Sequence, residues 1–183
     1  MTADRVISAG EEITIGYPNA NLLHPRDSRL KTINEARGFQ CICETCNKPN
    51  EPKAIAESDK RREELRTWAR TAPVMWKWFS DFSIKDDYML HPHVRALFLM
   101  QKEGLFCLPG RERHLIAIAN IYTALGERTK SIRWTKKIQE YYKSKNDVSA
   151  AQSLEPFIEN PESHPQWKLR IKAREGKCPF LPP

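Results

Sequence analysis

The 183-residue chain has no apolar run near the roughly twenty residues a membrane-spanning helix requires. Its first residues, Met1-Thr2-Ala3-Asp4-Arg5, lack the charged-then-apolar pattern of a secretory leader. The expectation is a soluble intracellular protein, nuclear and/or cytoplasmic, without a membrane partner. The basic residues are not interleaved with aromatic ones in a strand pattern, so the net charge of +7 does not by itself make a nucleic-acid-binding face. That charge would suit a basic tail, or an acidic surface as partner. In the C-terminal part the simpler reading is a solvated helix face, because Lys130, Lys136, Lys137, Lys143 and Lys145 fall where a helix turns to water. Cysteines number five, an odd count that argues for reduced thiols and against a disulfide framework.

Hydrophobic residues make up 40% of the chain and charged residues 29%. A chain of this length and composition can fold as one ordinary domain or as a small module followed by a second. Residues 4–17 read as a hairpin. Arg5-Val6-Ile7 forms one short strand, Ser8-Ala9-Gly10 a turn, and Ile13, Ile15 and Tyr17 one face of a second strand. Two strands do not make a stable sheet alone. Leu30 and Ile33 then mark a helix from Asp27 to Arg37, with Gly38 as its stop.

From about residue 53 the pattern is helical. Segment 53–71 is highly charged, and segment 73–82 is apolar nearly all round, which predicts burial. Segment 91–106 places Val94, Leu97, Phe98 and Leu105 on one stripe. Segments 111–126 and 130–143 form a helix pair, the first with an apolar face of Leu115, Ile118, Ala119, Tyr122 and Leu125, the second with Ile138 and Tyr141 inward. Small Ala119 and Ser131, Tyr122, and Gly126 at the corner match a tetratricopeptide-type hairpin, and a generic antiparallel pair equally well. Asp147 is an N-cap candidate for 148–158, where Pro156 limits regular helix. The proline-rich tail from Pro161 is expected to be irregular.

The chemistry concentrates in Gly38-Phe39-Gln40-Cys41-Ile42-Cys43-Glu44-Thr45-Cys46. Thiols two and three residues apart converge on one ion more readily than they pair with each other, so Cys41, Cys43 and Cys46 are candidate zinc ligands. A structural zinc wants a fourth ligand, and Cys107, Cys178 and His24 all remain open for that place. Taken alone, Tyr17 and Phe39 would be ordinary core aromatics.

The combination is more specific. The hairpin ending Gly10-Glu11-Glu12-Ile13-Thr14-Ile15-Gly16-Tyr17, the spacer with Arg29-Leu30, and the Gly38–Cys46 stretch together resemble the end of a SET domain with its post-SET zinc module. The likeness is to SET proteins that often carry a MYND finger and a tetratricopeptide-like C-terminal domain. It covers about residues 4–47, and the helices beyond more loosely. It implies a protein-lysine methyltransferase using S-adenosylmethionine and zinc, with a histone tail or other lysine-bearing protein as substrate. Tyr17 would line the channel where the lysine amine meets the methyl donor. Phe39 would pack on the cofactor's adenine, and the three cysteines would hold the zinc. The helical domain would offer a surface to a protein partner.

The family's Asn-His-x-Cys-x-Pro-Asn segment, its Gly-x-Gly cofactor loop and a MYND finger do not occur in this sequence. The expectation is therefore a C-terminal part of such an enzyme, and the alternative a non-catalytic, zinc-stapled helical interaction module. The expected fold class is α+β. Residues 1–37 would end the SET domain, 38–52 form the zinc module and linker, 53–160 the helical domain, and 161–183 the tail.

Overall fold

The computed structural model describes residues 7–12, 22–47, 51–71, 74–105 and 110–177. Among them no strand forms, and all regular structure is helical. This corrects the expected α+β class, with its small β-hairpin remnant, to an α class. Of the predicted hairpin, the turn is present: Glu11 N–H donates to Ser8 O at 3.1 Å, and the Glu11 carboxylate accepts from Ser8 N–H at 3.1 Å. Arg5, Val6 and Ile13–Tyr17 lie outside the described residues. Ile7 and Glu12, on either side of the turn, are not in strands, and the described residues supply no sheet for such a ribbon to join.

The chain divides into two compact units. The cysteine-bearing unit contains α1 (Arg26–Arg37), α2 (Pro52–Thr71) and the second half of α4 (Leu90–Lys102), from Ala96 onward. Its core gathers Leu65 of α2 with Ala96, Leu99, Met100 and Leu105, and Leu22 and Leu23 pack against them. Helix α1 stops where its sequence says it should. Gly38 takes a left-handed φ of 73°, and its N–H closes the last turn on Asn34 O at 2.8 Å. A glycine at this position meets no Cβ penalty, which is why helices so often end on one.

The second unit contains α3 (Met75–Ser80), the first half of α4, α5 (Arg111–Ala124), α6 (Arg128–Ser144), α7 (Val148–Gln152), α8 (Glu155–Glu159) and α9 (Leu169–Arg174). Trp78, Phe79, Met89, Ile121 and Ala124 form its core. The short link between α5 and α6 folds them back on each other. Ala119 and Ser131, the small residues noted in the sequence, are buried at 4% and 2% exposure where the pair meets. The Thr123 and Ser131 hydroxyls join across the pair at 2.6 Å. Asp147 caps α7 as expected, accepting from Ala150 N–H at 3.0 Å. Pro156 falls in the first turn of a separate α8, where a missing N–H costs nothing.

Three local expectations are corrected. Segment 73–82 is not buried all round: Trp78 and Phe79 are, but Val74, Trp76 and Phe82 are exposed. The inward positions of α4 are His93, Ala96, Leu99 and Met100, while Val94 and Phe98 face solvent. The tail from Pro161 is structured through a 3-10 turn (Pro161–Ser163) and α9, whose Arg170 is fully buried. No helix among the described residues is long and apolar enough to cross a membrane.

Candidate metal centre

The left-handed Gly38 turns the chain out of α1, and Phe39 and Gln40 lead into the cysteines. The backbone then folds into a tight turn, with Cys46 N–H and Asn47 N–H both donating to Cys43 O, at 2.9 and 2.8 Å. This geometry brings the Sγ atoms of Cys41, Cys43 and Cys46 within 4.8 Å of one another. Sulfurs bound to one tetrahedral zinc at about 2.3 Å stand about 3.8 Å apart. The three are thus close enough together to hold a metal ion such as zinc. Cys46 is buried, Cys41 half-buried and Cys43 exposed.

Electrostatics favours a cation at this point. Burial, followed by the proximity of Cys43 and Cys41, pushes the Cys46 thiol up to about 11, against the pull of Arg29. Burial also pushes Cys43 up, but hydrogen bonds from the Cys46 backbone and from the Cys41 and Cys46 side chains outweigh it and leave that thiol below its ordinary value. Three thiolates crowded together repel, and a divalent ion removes that penalty while taking the place of their protons.

Charged side chains fix the turn from outside. Arg26 Nε donates to Cys46 O at 2.7 Å. The Arg26 backbone N–H, one of the donors left open at the start of α1, bonds to Asp59 Oδ1 of α2 at 2.8 Å. Arg29, 4% exposed, donates to His24 O at 2.6 Å and stands 3.9 Å from Asp59. One helical turn along α2, the buried Arg62 donates to Leu22 O and pairs with Glu103 at 3.0 Å, without the alignment of a hydrogen bond. Glu103 also accepts from Ser58 Oγ and Arg61 Nε, each at 2.6 Å. Burial raises the Glu103 carboxyl, but these partners prevail and hold it below its usual range. Burial and the nearby Arg29 lower the Arg62 guanidinium, with Glu103 opposing. A polar cavity of about 310 Å³ lies beside the turn, lined in part by Arg26, Arg29, Thr45, Asp59, Arg61 and Glu103.

Of the residues singled out in the sequence, the structure thus brings Cys41, Cys43 and Cys46 together. Phe39 sits at the exit of α1, partly exposed, and does not line the polar cavity. Tyr17, Cys107 and Cys178 lie outside the described residues. His24 takes part through its backbone oxygen, and the metal-holding cluster among the described residues is the three thiols. Sequence reasoning missed the support from Arg26, Asp59, Arg62 and Glu103. Only the Arg26-x-x-Arg29 spacing on one helix face offered a signal.

Comparison with known protein families, with curated proteins and with solved structures finds no match. The site must be read from its own geometry.

Proposed function

We propose that this chain is the C-terminal part of a SET-type protein-lysine methyltransferase, with Cys41, Cys43 and Cys46 as ligands of a structural zinc. The observation that supports the reading is the convergence of three sulfurs within 4.8 Å directly after the Gly38-Phe39 exit of α1. That is the order of helix, aromatic and thiols the post-SET resemblance calls for. The zinc would fix the loop that carries Phe39, and Phe39 would then face the adenine of S-adenosylmethionine. Tyr17 would orient the neutral lysine amine for in-line attack on the methyl group, a step that rests on alignment and electrostatics. The Asn-His-x-Cys segment and Gly-x-Gly loop are not part of this sequence. Methyl transfer is therefore proposed for the protein that combines this chain with such segments, acting on a histone tail or another lysine-bearing protein.

The test has two arms. Elemental analysis of the purified chain should give one zinc per molecule, and Cys43→Ser should lose it. In the protein that includes the cofactor segments, transfer of a labelled methyl group to a lysine substrate should occur, and Tyr17→Phe should slow it without unfolding. Zinc without any methyl transfer would leave the second reading, a zinc-stapled interaction module. The absence of a cofactor loop from this sequence favours that second reading for the chain taken alone.

A further inference from the structure

The polar cavity of about 310 Å³ beside the cysteine turn lies wholly within the cysteine-bearing unit, and a buried cation forms part of its wall. Arg29 of α1 is only 4% exposed. Among the described residues, Nη1 alone of its guanidinium has partners: it donates to His24 O at 2.6 Å and stands 3.9 Å from Asp59. Nε and Nη2 make no hydrogen bond to the described residues. Unlike Arg62 Nε and Arg170 Nη1, neither is fully enclosed by protein. Their N–H bonds point the same way in the guanidinium plane. That edge is the one with which arginine grips two oxygens of a single group. A cation so deeply placed, with its gripping edge open, gains from an acceptor that enters the cavity.

Charge in the wall decides which acceptor fits. Arg26, Arg61 and Lys102 join Arg29, against the carboxylates of Glu44, Asp59 and Glu103, so the lining carries one positive charge in excess. Glu103 is already committed to Ser58, Arg61 and Arg62, and Asp59 Oδ1 to the Arg26 N–H. Lys102 has no carboxylate partner among the described residues, and its Nζ lies 5.6 Å from the centre of the Phe98 ring. One excess charge is balanced by a monoanion. A phosphate monoester, with nearly two charges at neutral pH, would bring an uncompensated charge close to Asp59 and Glu44. A carboxylate matches both the edge and the charge. The cavity is at the small end of the range for ligand sites, and Ile55 is the one aliphatic side chain among its described lining residues. The rest of the ligand is therefore small and polar.

We propose that this cavity binds a small polar carboxylic acid as its monoanion, with the two carboxylate oxygens on Arg29 Nε and Nη2. The proposal does not rest on methyl transfer.

3-Hydroxybutanoate and its neutral amide, 3-hydroxybutanamide, provide the test, because they match in size and shape and differ in charge. The acid, titrated into the full chain in a carboxylate-free buffer, should shift the Arg29 Nε–H signal in the nitrogen–proton NMR spectrum in a saturable way. That signal is assigned by its absence from Arg29→Lys. The acid should bind at least tenfold more tightly than the amide, the value of hydrogen bonds to a charged group, and more tightly than inorganic phosphate. Arg29→Lys keeps the charge but not the two-pronged edge, and should lose most of the preference for the acid. Should that variant prove unfolded by circular dichroism, Lys102→Glu reverses an exposed charge of the wall and should weaken the acid severalfold. Absence of saturable binding in the low millimolar range, equal affinity for acid and amide, tighter binding of phosphate, or an Arg29 Nε–H signal that stays fixed while the acid binds would each overturn the proposal.

Discussion

Glu103 shows how much can depend on one carboxylate. Its side chain is 3% exposed and serves Ser58, Arg61 and the equally buried Arg62. Glu103→Ala leaves the Arg62 charge in the core without a counterion, a change that typically costs about 3–5 kcal/mol. Chemical denaturation followed by circular dichroism should show this loss, and Arg62→Leu combined with Glu103→Leu should recover much of it. A second buried pair sets a pH dependence. The His93 and His114 Nδ1 atoms lie 3.2 Å apart. That arrangement needs one ring to donate and the other to accept, so the two rings cannot both be protonated. Burial holds both pKa values at about 4, and for His114 the proximity of His93 lowers it further while Glu112 opposes. In the unfolded chain each titrates near 6.5. The unfolded state therefore takes up protons first as the medium is acidified. Stability from this pair is complete above about pH 6.5 and is lost as pH falls toward 4. Glu103 and Asp86, whose pKa values are depressed, lose their contribution only below the usual carboxylate pKa values. Unfolding free energies measured from pH 7.5 to 4.5 should thus decline before the carboxylates titrate, and a flat profile over that range would contradict the neutral histidine pair.

Helix ends were far easier to read in the sequence than helix faces. Gly38, Gly126 and Asp147 act through their own backbone or side chain within a few residues, so local sequence was enough to place them. At Gly126 φ is 68°, and a Cβ would come within 2.7 Å of Lys168 Cγ. That atom is near the base of the lysine side chain, so Gly126→Ala should cost about 1–2 kcal/mol for a left-handed alanine and more for the clash. Adding Lys168→Ala should restore the clash part alone, and thermal denaturation of the two variants would show it. Asp147→Ala should cost about 1 kcal/mol for the lost cap of α7. The face of α4 was another matter. From Val94 to Met100 every residue except Arg95 is apolar, so periodicity selects no single stripe. Packing turned His93, Ala96 and Met100 inward, and a histidine is easily passed over when core positions are sought. The three thiols, by contrast, were legible from spacing alone. Their supports were not, because Asp59 and Glu103 are distant in sequence from the residues they hold.

The second unit depends on the segment whose prolines suggested an irregular tail. Arg170 of α9 has no exposed surface. Its Nε donates to Asp86 Oδ1 at 2.7 Å, Nη2 donates to Ile84 O, and its guanidinium carbon lies 4.4 Å from the centre of the Trp78 ring. Arg174 reaches the same Asp86 oxygen at 2.7 Å, and Trp78 Nε1 donates to Lys85 O at 3.1 Å. The tail therefore closes on a loop more than eighty residues earlier, so these contacts must offset the entropy of closing a long loop. A planar, always-charged group that donates along two edges and stacks on indole is not replaced by an ammonium. Arg170→Lys should accordingly lose most of the stability that Arg170→Ala loses, about 3 kcal/mol or more for a buried charge network broken on one side. Asp86→Asn, which keeps an acceptor but removes the charge, should lose less. The three variants, compared by equilibrium unfolding at neutral pH, separate stacking and fork geometry from simple charge. Full stability in Arg170→Lys would mean that charge alone ties the tail to the core, and that the indole contact contributes nothing.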